Sequence, residues 1–297
     1  MCIEQTPSSM INQHQQFNLF DKRIFERAVI TPPMRLPAHM PNEACFYYVT
    51  SGKADVIAPT ERLSLQAEEA VVLKCGNYLS EWFTDKELNT CEIFAVHFYP
   101  EVLKKIYDKE LPDFLNEVNQ IKPVILQKTQ VDELLKTYIS SLMFYFDNTS
   151  LASDELIKLK LKELILLLAK TDNAATIKQL ISGLFTSTEY SLKEIVEANI
   201  YSRLTIEEFA KLTNLSLSTF KREFDKIYGK SPAKYIKDRK LERSAELLVK
   251  TNQRVSEIAF NCGFSEVAHF SNSFQKQYGV SPSVYRLNQT DKSMNEL

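Results

Sequence analysis

Residues 209–235 read FAKLTNLSLSTFKREFDKIYGKSPAKY, and residues 258–285 read IAFNCGFSEVAHFSNSFQKQYGVSPSVY. The two stretches correspond along their length: Ala210 matches Ala259 at an offset of 49, and Phe220 matches Phe270 at an offset of 50. The second stretch therefore carries one additional residue shortly after Ser265. A correspondence of this detail indicates one structural unit that is used twice.

Each stretch has the pattern of two helices joined by a tight turn. Ser216 and Ser265 are the predicted N-caps of the second helix in each pair, because a serine hydroxyl accepts a hydrogen bond from a free N–H of the first turn. Phe220, Phe224 and Ile227 follow at the spacing i, i+4, i+7, which predicts one buried stripe. The C-terminal part is therefore predicted to be an all-α unit with two helix-turn-helix motifs.

The opposite side of each second helix is predicted to face solvent, because successive residues rotate by about 100° around a helix. The candidate DNA-contacting residues on this side are Ser218, Thr219, Lys221, Arg222 and Lys226 in the first motif, and Ala268, His269, Ser271, Asn272 and Lys276 in the second. In the major groove, Arg can form a bidentate hydrogen bond with guanine, and Asn can do so with adenine. Lys226, Lys276 and Arg286 suit phosphate oxygens better than bases, and His269 suits phosphate or packing.

The paired motifs and the segment 235–248 between them resemble the DNA-binding domain of the AraC/XylS family of bacterial transcription regulators. The resemblance covers roughly residues 187–288, and the domain predicted from it spans residues 186–290. It implies two recognition helices on one rigid linker helix, which enter successive major grooves about 34 Å apart. It also implies a sequence-specific regulator without enzymatic activity, usually an activator, whose partners are promoter DNA and RNA polymerase.

Composition and charge fit a globular protein of two domains. The chain has 297 residues, of which 44% are hydrophobic and 25% charged. No apolar run approaches the ~18 residues of a membrane span, and the N-terminus lacks the basic and apolar regions of a secretory signal. We therefore expect a cytoplasmic protein without a membrane partner. The net charge of −2 divides into +5 for residues 202–297 and −7 for the remainder, which indicates that the C-terminal part binds phosphate.

The N-terminal part has the pattern of a β domain. Short β-branched and aromatic runs, such as CFYYV at 45–49 and EIFAVHFY at 92–99, alternate with turns between residues 17 and 99. Their order and the hairpin at 50–53 are similar to the cupin-like N-terminal domain of many family members. The expected fold class is therefore α+β, with a cupin-like β-sandwich or barrel first. Residues 1–16 are polar and aperiodic, and we interpret them as a frayed tail.

Residues from about 101 to 185 change to helical periodicity and complete a regulatory domain predicted to span residues 17–185. Apolar side chains recur on two amphipathic stretches, at 131–145 and 156–168. Two interpretations remain open. Both stretches pack on the β domain, or they form a homodimer interface, which the family often builds from such helices.

Metal-ligating and ligand-binding residue types are few in the N-terminal part. The five cysteines lack CxxC spacing, and His39 and Glu43 are suggestively spaced but without a second histidine beside His39. His97 is interpreted as a half-buried strand residue. We therefore expect no metal, no cofactor and no catalytic residue. Glu43 and Lys53 are the candidate effector-binding residues, which would line a pocket for an organic effector. The effector of this domain is expected to be a small molecule or a protein. The alternative functions are a cupin-type metal enzyme and a regulator controlled by a protein partner.

Overall fold

The computed structural model describes residues 11–40, 42–83, 89–107, 126–129, 131–170 and 190–294. The chain divides into two compact units, residues 1–189 and residues 190–297. The described part of the first unit contains strands and helices, and that of the second unit contains helices. The predicted α+β class is confirmed, and the cupin-like assignment within it stays a prediction.

The strands described in the first unit form two antiparallel sheets. They are β1 (Ile11–Leu19), β2 (Lys22–Ile30), β3 (Met34–Met40), β4 (Ala44–Ser51), β5 (Lys53–Ile57), β6 (Arg62–Gln66), β7 (Glu69–Leu73), β8 (Gly76–Phe83), β9 (Cys91–Phe98) and β10 (Leu126–Thr129). One sheet has the order β1-β2-β9-β4-β7-β10, and the other has the order β3-β8-β5-β6. Because β1 pairs with β2 from Ile11 onward, the interpretation of residues 11–16 as a tail is wrong.

Alternate side chains of β4 contribute to two different layers of the core, as the two-residue period of a strand requires. Phe46 and Tyr48 belong to the cluster that the helices cover. Tyr47 is fully buried on the other face, where its hydroxyl accepts a hydrogen bond from Trp82 Nε1 at 2.8 Å. Since Trp82 lies on β8, this bond joins the six-stranded sheet to the four-stranded one.

Three helices of the first unit are described: α1 (Pro100–Ile106), α2 (Glu133–Asp147) and α3 (Asp154–Leu168). The side chain of Asp132 caps α2, and that of Ser153 caps α3. The buried faces of both helices join the core cluster of the six-stranded sheet, as the first interpretation predicts. Strand β10 interrupts the segment that was predicted to be helical, because it pairs with β7. Residues 171–185 of that segment lie outside the described residues.

The helices of the second unit carry the repeated sequence. They are α4 (Leu192–Asn199), α5 (Ile206–Leu212), α6 (Leu217–Tyr228), α7 (Pro232–Lys250), α8 (Val255–Asn261), α9 (Val267–Tyr278) and α10 (Pro282–Met294). Helices α5 and α6 form the first motif, α8 and α9 form the second, and α7 links them. Gly229 and Gly279 end α6 and α9 in the left-handed conformation, with φ of 64° and 80°, which glycine adopts without a Cβ penalty.

Candidate nucleic-acid interface

The first motif has the ends and the core that its sequence predicts. Thr205 and Glu208 form a capping box at the start of α5. The hydroxyl of Ser216 accepts from the backbone N–H of Thr219 at 3.2 Å and caps α6, as predicted. The rings of Phe209 and Phe220 stack across the two helices with centroids 6.3 Å apart. Recognition helix α6 is therefore held from its first turn.

The additional residue in the second motif shifts the start of its recognition helix. Glu266, rather than Ser265, is the N-cap of α9, and its side chain makes no capping hydrogen bond. The prediction for Ser265 is therefore wrong. Phe264 packs on Phe270 with a centroid distance of 5.1 Å, so this motif keeps an aromatic contact between its turn and its second helix.

The same three-ring cluster closes both recognition helices. Phe224, Tyr228 and Tyr235 lie 4.3–5.6 Å apart in the first motif. Their counterparts Phe274, Tyr278 and Tyr285 lie 4.5–5.3 Å apart. The buried stripe of α6 thus turns toward Tyr228, and Ile227, which was predicted to be buried, is 49% exposed.

The predicted DNA-contacting residues lie on the outward sides of α6 and α9. The exposed members are Ser218, Lys221, Arg222, Lys226, Ala268, His269, Asn272 and Lys276. Thr219 and Ser271 are half-buried. Since Phe220, Phe224, Phe270 and Phe274 are completely buried on the other side, the two helices present equivalent outward faces. Their contacts with DNA stay a prediction.

Glu223 pairs with two of the cations of α6. Glu223 accepts from Arg222 Nε at 3.1 Å and from Lys226 Nζ at 2.9 Å. The hydrogen bonds from Lys226 and Arg222 lower the pKa of Glu223. Both cationic side chains remain more than 60% exposed, so these surface pairs hold them only weakly.

Two grooves adjoin the recognition helices at the start of α7. A groove of about 580 Å³ is lined by Lys221 and Arg222 of α6, by the acidic Glu207 and Asp225, and by the first residues of α7. A second groove, of about 600 Å³, is lined by Lys234 and Lys237 of α7 and by Lys276 of α9. Lys234 and Lys237 were not among the predicted contacts, although both are exposed lysines at the start of the helix that joins the motifs.

Two groups of arginines are engaged within the protein. Arg239 pairs with Glu242 at 3.3 Å and Arg243 with Glu246 at 3.1 Å along α7. Arg286 donates through Nε to the carbonyl of Leu248 at 3.0 Å and through Nη2 to that of Gln253 at 2.8 Å. Arg286 therefore binds the end of α7, and its interpretation as a phosphate contact is not supported by this geometry.

Lys240 is a buried cation on the linker helix, and the sequence analysis did not identify it. It is 9% exposed, and its Nζ donates to the carbonyls of Ser202 at 2.6 Å and Gly263 at 3.0 Å. Burial lowers the pKa of Lys240 to about 8. The signal in the sequence was a lysine at helical spacing from the apolar residues Ile236 and Leu248.

The candidate effector residues lie at opposite ends of β4. Glu43 precedes Ala44, which pairs with Phe98, whereas Lys53 follows Ser51 at the far end of the strand. Glu43 is buried, and Lys53 is exposed. The two residues therefore do not line one pocket, because the length of β4 separates them.

Glu43 instead belongs to a buried ionic cluster around His97, which is completely buried and not half-buried as predicted. The ring nitrogens of His97 lie 3.1 Å from Glu43 Oε2 and 3.1 Å from Glu26 Oε2. Burial by itself would raise the pKa of Glu43, but the hydrogen bond and charge of His97 outweigh it and lower the pKa to about 2. For Glu26, hydrogen bonds from His14 and His97 likewise overcome burial and hold the pKa well below its usual range. Within the described residues, no group of three or more His, Cys, Asp or Glu side chains is arranged to hold a metal ion.

A unit with two helix-turn-helix motifs that expose equivalent polar faces defines a class of DNA-binding proteins. The chain matches the sequence models of two protein families: "Helix-turn-helix domain" over residues 209–288, and "ExsA N-terminal regulatory domain" over residues 44–180. None of the helices described here has the length and apolarity that a bilayer crossing requires.

Characterised relatives extend these matches over most of the chain. The virulence regulon transcriptional activator VirF of Yersinia enterocolitica serotype O:8 is 27% identical over 257 residues, which cover 86% of this chain and 93% of that protein. The thermoregulatory protein LcrF of Yersinia pestis is 27% identical and covers 87% of this chain and 93% of its own. A further VirF from Yersinia enterocolitica is 28% identical over 166 residues, which are 56% of this chain and 60% of that protein. The chain belongs to the AraC family of transcriptional regulators, which is not a class of enzymes.

Solved structures with some likeness include the DNA-binding domain of AdpA in complex with a target DNA. It is 26% identical and covers 34% of this chain and 94% of that chain, with a TM-score of 0.33. ToxT from Vibrio cholerae is 15% identical and covers 89% of this chain and 98% of that chain, with a TM-score of 0.38. TM-scores this low do not establish a shared geometry.

Proposed function

We propose that this regulator activates transcription by binding promoter DNA with both motifs, and that α6 and α9 enter successive major grooves. The observation that carries the proposal is the outward exposure of equivalent polar faces on two helices with identical aromatic anchoring. The activator role is supported by the names of the VirF relatives. RNA polymerase is the proposed protein partner, and the cytoplasm, where bacterial promoter DNA lies, is the proposed location.

The side chains divide into base-reading and phosphate-binding roles. Arg222 suits guanine, because its guanidinium can donate two hydrogen bonds to O6 and N7. Asn272 suits adenine, because its amide can donate to N7 and accept from the N6 amino group. The remaining candidate residues of the two faces are proposed as shorter polar contacts or phosphate contacts. Lys226 and Lys276 suit phosphate, and Lys234 and Lys237 join them, since they line one groove with Lys276. Arg222 and Lys226 must leave Glu223 on binding, and this costs little because the pairs are exposed to solvent.

Selection of bound sequences from random duplex DNA tests this proposal with two matched substitutions. Arg222→Ala is expected to lose about 1–3 kcal/mol and to relax the preference at one base position. Lys226→Ala is expected to weaken all sequences alike and to reduce the salt dependence of binding. Lys250→Ala, at the far end of α7, serves as the control for a lost exposed lysine. Equal losses on selected and random duplexes for Arg222→Ala would remove this residue from base reading. Absence of any sequence preference in the wild type would refute the proposed function.

We further propose that residues 17–185 form a regulatory and dimerisation domain and residues 186–290 the DNA-binding domain. Five large apolar side chains on and between α2 and α3 support a homodimer surface, because they are 51–64% exposed: Leu134, Phe144, Leu151, Leu159 and Leu166. Leu159 and Leu166 are seven residues apart, which puts them on one side of α3. The effector of this domain is proposed to be a small molecule or a protein.

Sedimentation velocity of the full chain tests the dimer. The double substitution Leu159→Ser and Leu166→Ser is expected to shift the protein toward the monomer, while Val249→Ser, at a similarly exposed apolar residue of the second unit, is expected to leave the mass unchanged. A wild-type protein that is monomeric at all concentrations would contradict the dimer and favour a different protein as the occupant of this surface.

A further inference from the structure

Lys240, Ser202 and Gly263 form a junction between the two DNA-binding motifs, which we call the Lys240 junction. Ser202 lies in the loop that leads from α4 into the first motif, and Gly263 lies in the turn between α8 and α9 of the second. The Nζ atom of Lys240, on the linker helix, donates to both carbonyls, at 2.6 and 3.0 Å. A single side chain therefore connects the linker helix to the second motif and to the loop that immediately precedes the first.

The backbone of the second motif closely approaches the loop that leads into the first motif at this junction. Gly263 has φ of +79°, and a Cβ placed on it would lie 2.4 Å from the carbonyl oxygen of Tyr201 and 2.5 Å from that of Ser202. The first motif has Asn214 at the corresponding position, with φ of 55°. Both turns need a residue in the left-handed conformation. In the second turn, however, a neighbouring backbone occupies the place where a side chain of residue 263 would lie. The absence of a side chain at residue 263 thus belongs to the contact between motifs.

The junction is an unusual use of a cation. Within the described residues Lys240 forms no ion pair, and its bonds go to neutral carbonyl oxygens. Removing an ammonium group from water is costly, and an apolar side chain of the same length would avoid that cost. Hydrogen bonds, however, hold their partners to within a few tenths of an ångström, whereas apolar contacts allow sliding. A buried polar group in such a place specifies a position more than it adds stability.

The space beside the junction leaves room for the motifs to shift. A groove of about 350 Å³ lies there, lined by Arg203 and Leu204 ahead of the first motif and by Phe264 and His269 of the second. Side chains of the two motifs therefore do not fill this region completely. Lys240 and Gly263 line this groove together with the DNA-binding candidate His269.

We propose that Lys240 is a positioning residue that fixes the spacing of the two recognition helices, so that it determines which separation of half-sites the protein accepts on DNA. The inference rests on the proposed function, since both motifs must bind one duplex. Rigid spacing makes a change of one base pair costly, because it rotates one half-site by about 35° relative to the other. Without the junction the second motif can follow the displaced half-site.

The test compares the full-length wild type with Lys240→Met, which keeps the chain length and removes the donor, and with Lys240→Arg, which keeps a cationic donor. Affinity is measured for the selected target and for targets with one base pair inserted or deleted between the half-sites. The wild type is expected to lose about tenfold or more on the altered targets, the worth of one base-specific contact. Lys240→Met is expected to reduce this ratio at least about threefold, and Lys240→Arg to retain it.

Lys237→Met is the matched control, because Lys237 is exposed and lies one turn earlier on α7. It is expected to weaken binding to every target and to leave the spacing ratio unchanged. If folded Lys240→Met loses as much affinity on the targets with altered spacing as the wild type does, the inference is overturned. If the wild type never binds the second half-site, the proposed function is refuted instead. If circular dichroism shows Lys240→Met to be unfolded, Gly263→Ala displaces the same carbonyls with Lys240 intact, and an unaltered ratio in that variant also overturns the inference.

Discussion

Glycine at residue 263 has two possible reasons, the positive φ and the lack of space for a Cβ atom, and substitution by asparagine separates them. Asparagine tolerates positive φ, and the chain itself places Asn214 at the equivalent turn of the first motif with φ of 55°. Backbone strain is therefore small, and the cost comes from the new Cβ. At 2.4 and 2.5 Å from the carbonyl oxygens of Tyr201 and Ser202, it requires a displacement of about 1 Å before ordinary contact is reached.

The magnitude follows from the two interactions that this displacement disturbs. Overpacking of a close contact costs about 1–3 kcal/mol. The Ser202 carbonyl also accepts from Lys240 at 2.6 Å, and weakening a hydrogen bond to a charged group costs up to about 2 kcal/mol more. We expect Gly263→Asn to lower the free energy of unfolding by about 1–5 kcal/mol, the sum of these two costs. Gly279→Asn is the control, because Gly279 has φ of +80° but nothing within 4 Å of its Cβ position. It should lose less than about 1 kcal/mol.

Urea unfolding of the full chain with two probes measures this difference. Trp82, the one tryptophan, is buried in the first unit, so its fluorescence reports on that unit alone. Circular dichroism at a helical wavelength reports in addition on the seven helices described in the second unit. Gly263→Asn should shift a dichroism transition to lower urea and leave the fluorescence transition in place. Equal shifts for Gly263→Asn and Gly279→Asn would refute the contact argument.

Three further predictions follow from caps and buried charges. Ser216→Ala should cost about 1 kcal/mol by removing the cap of α6, whereas Ser265→Ala, which removes no cap bond, should change unfolding by less than about 0.5 kcal/mol in the same denaturation assay. Because the pKa of Glu43 is lowered to about 2, its ionised form stabilises the fold above the unfolded pKa of about 4.5, and this contribution is lost as pH falls toward 2. Glu43→Gln should therefore remove the part of the acid destabilisation that comes from protonation of Glu43. An unchanged dependence of stability on pH in this variant would contradict the prediction. For Lys240 the neutral form is the one that the folded state favours, because its pKa of about 8 lies below the unfolded value of 10.5. The unfolded state therefore binds more protons between these two pH values. The stability of the wild type relative to Lys240→Met should rise from pH 8 to 10.

The second unit was predictable because its signals are local. The three- and four-residue apolar spacing and the helix-ending glycines act within one or two turns, and each of them appears twice at a nearly constant offset. The serine cap is as local, but of Ser216 and Ser265 only Ser216 forms it. The same repetition indicated the outward faces of α6 and α9, since burying one side of a helix exposes the other. In the first unit the apolar strands β4 and β9 were recognisable from their β-branched and aromatic runs, whereas the start of edge strand β1 is mostly polar and was missed.

Local spacing could not reveal contacts between residues that are far apart in the chain. Ile227 and Tyr228 both extend the apolar stripe of α6, and only the ring of Tyr235, from the next helix, decides that Tyr228 turns inward. Arg286 resembles a phosphate contact until the carbonyls of Leu248 and Gln253 are found beside it. Lys240 gains its partners from loops 38 and 23 residues away. The two recognition helices thus follow from the sequence, because a helix is specified by residues that are close together in the chain. How these helices are joined is visible only in the folded protein, because hydrogen bonds between distant segments leave no periodic trace in the sequence.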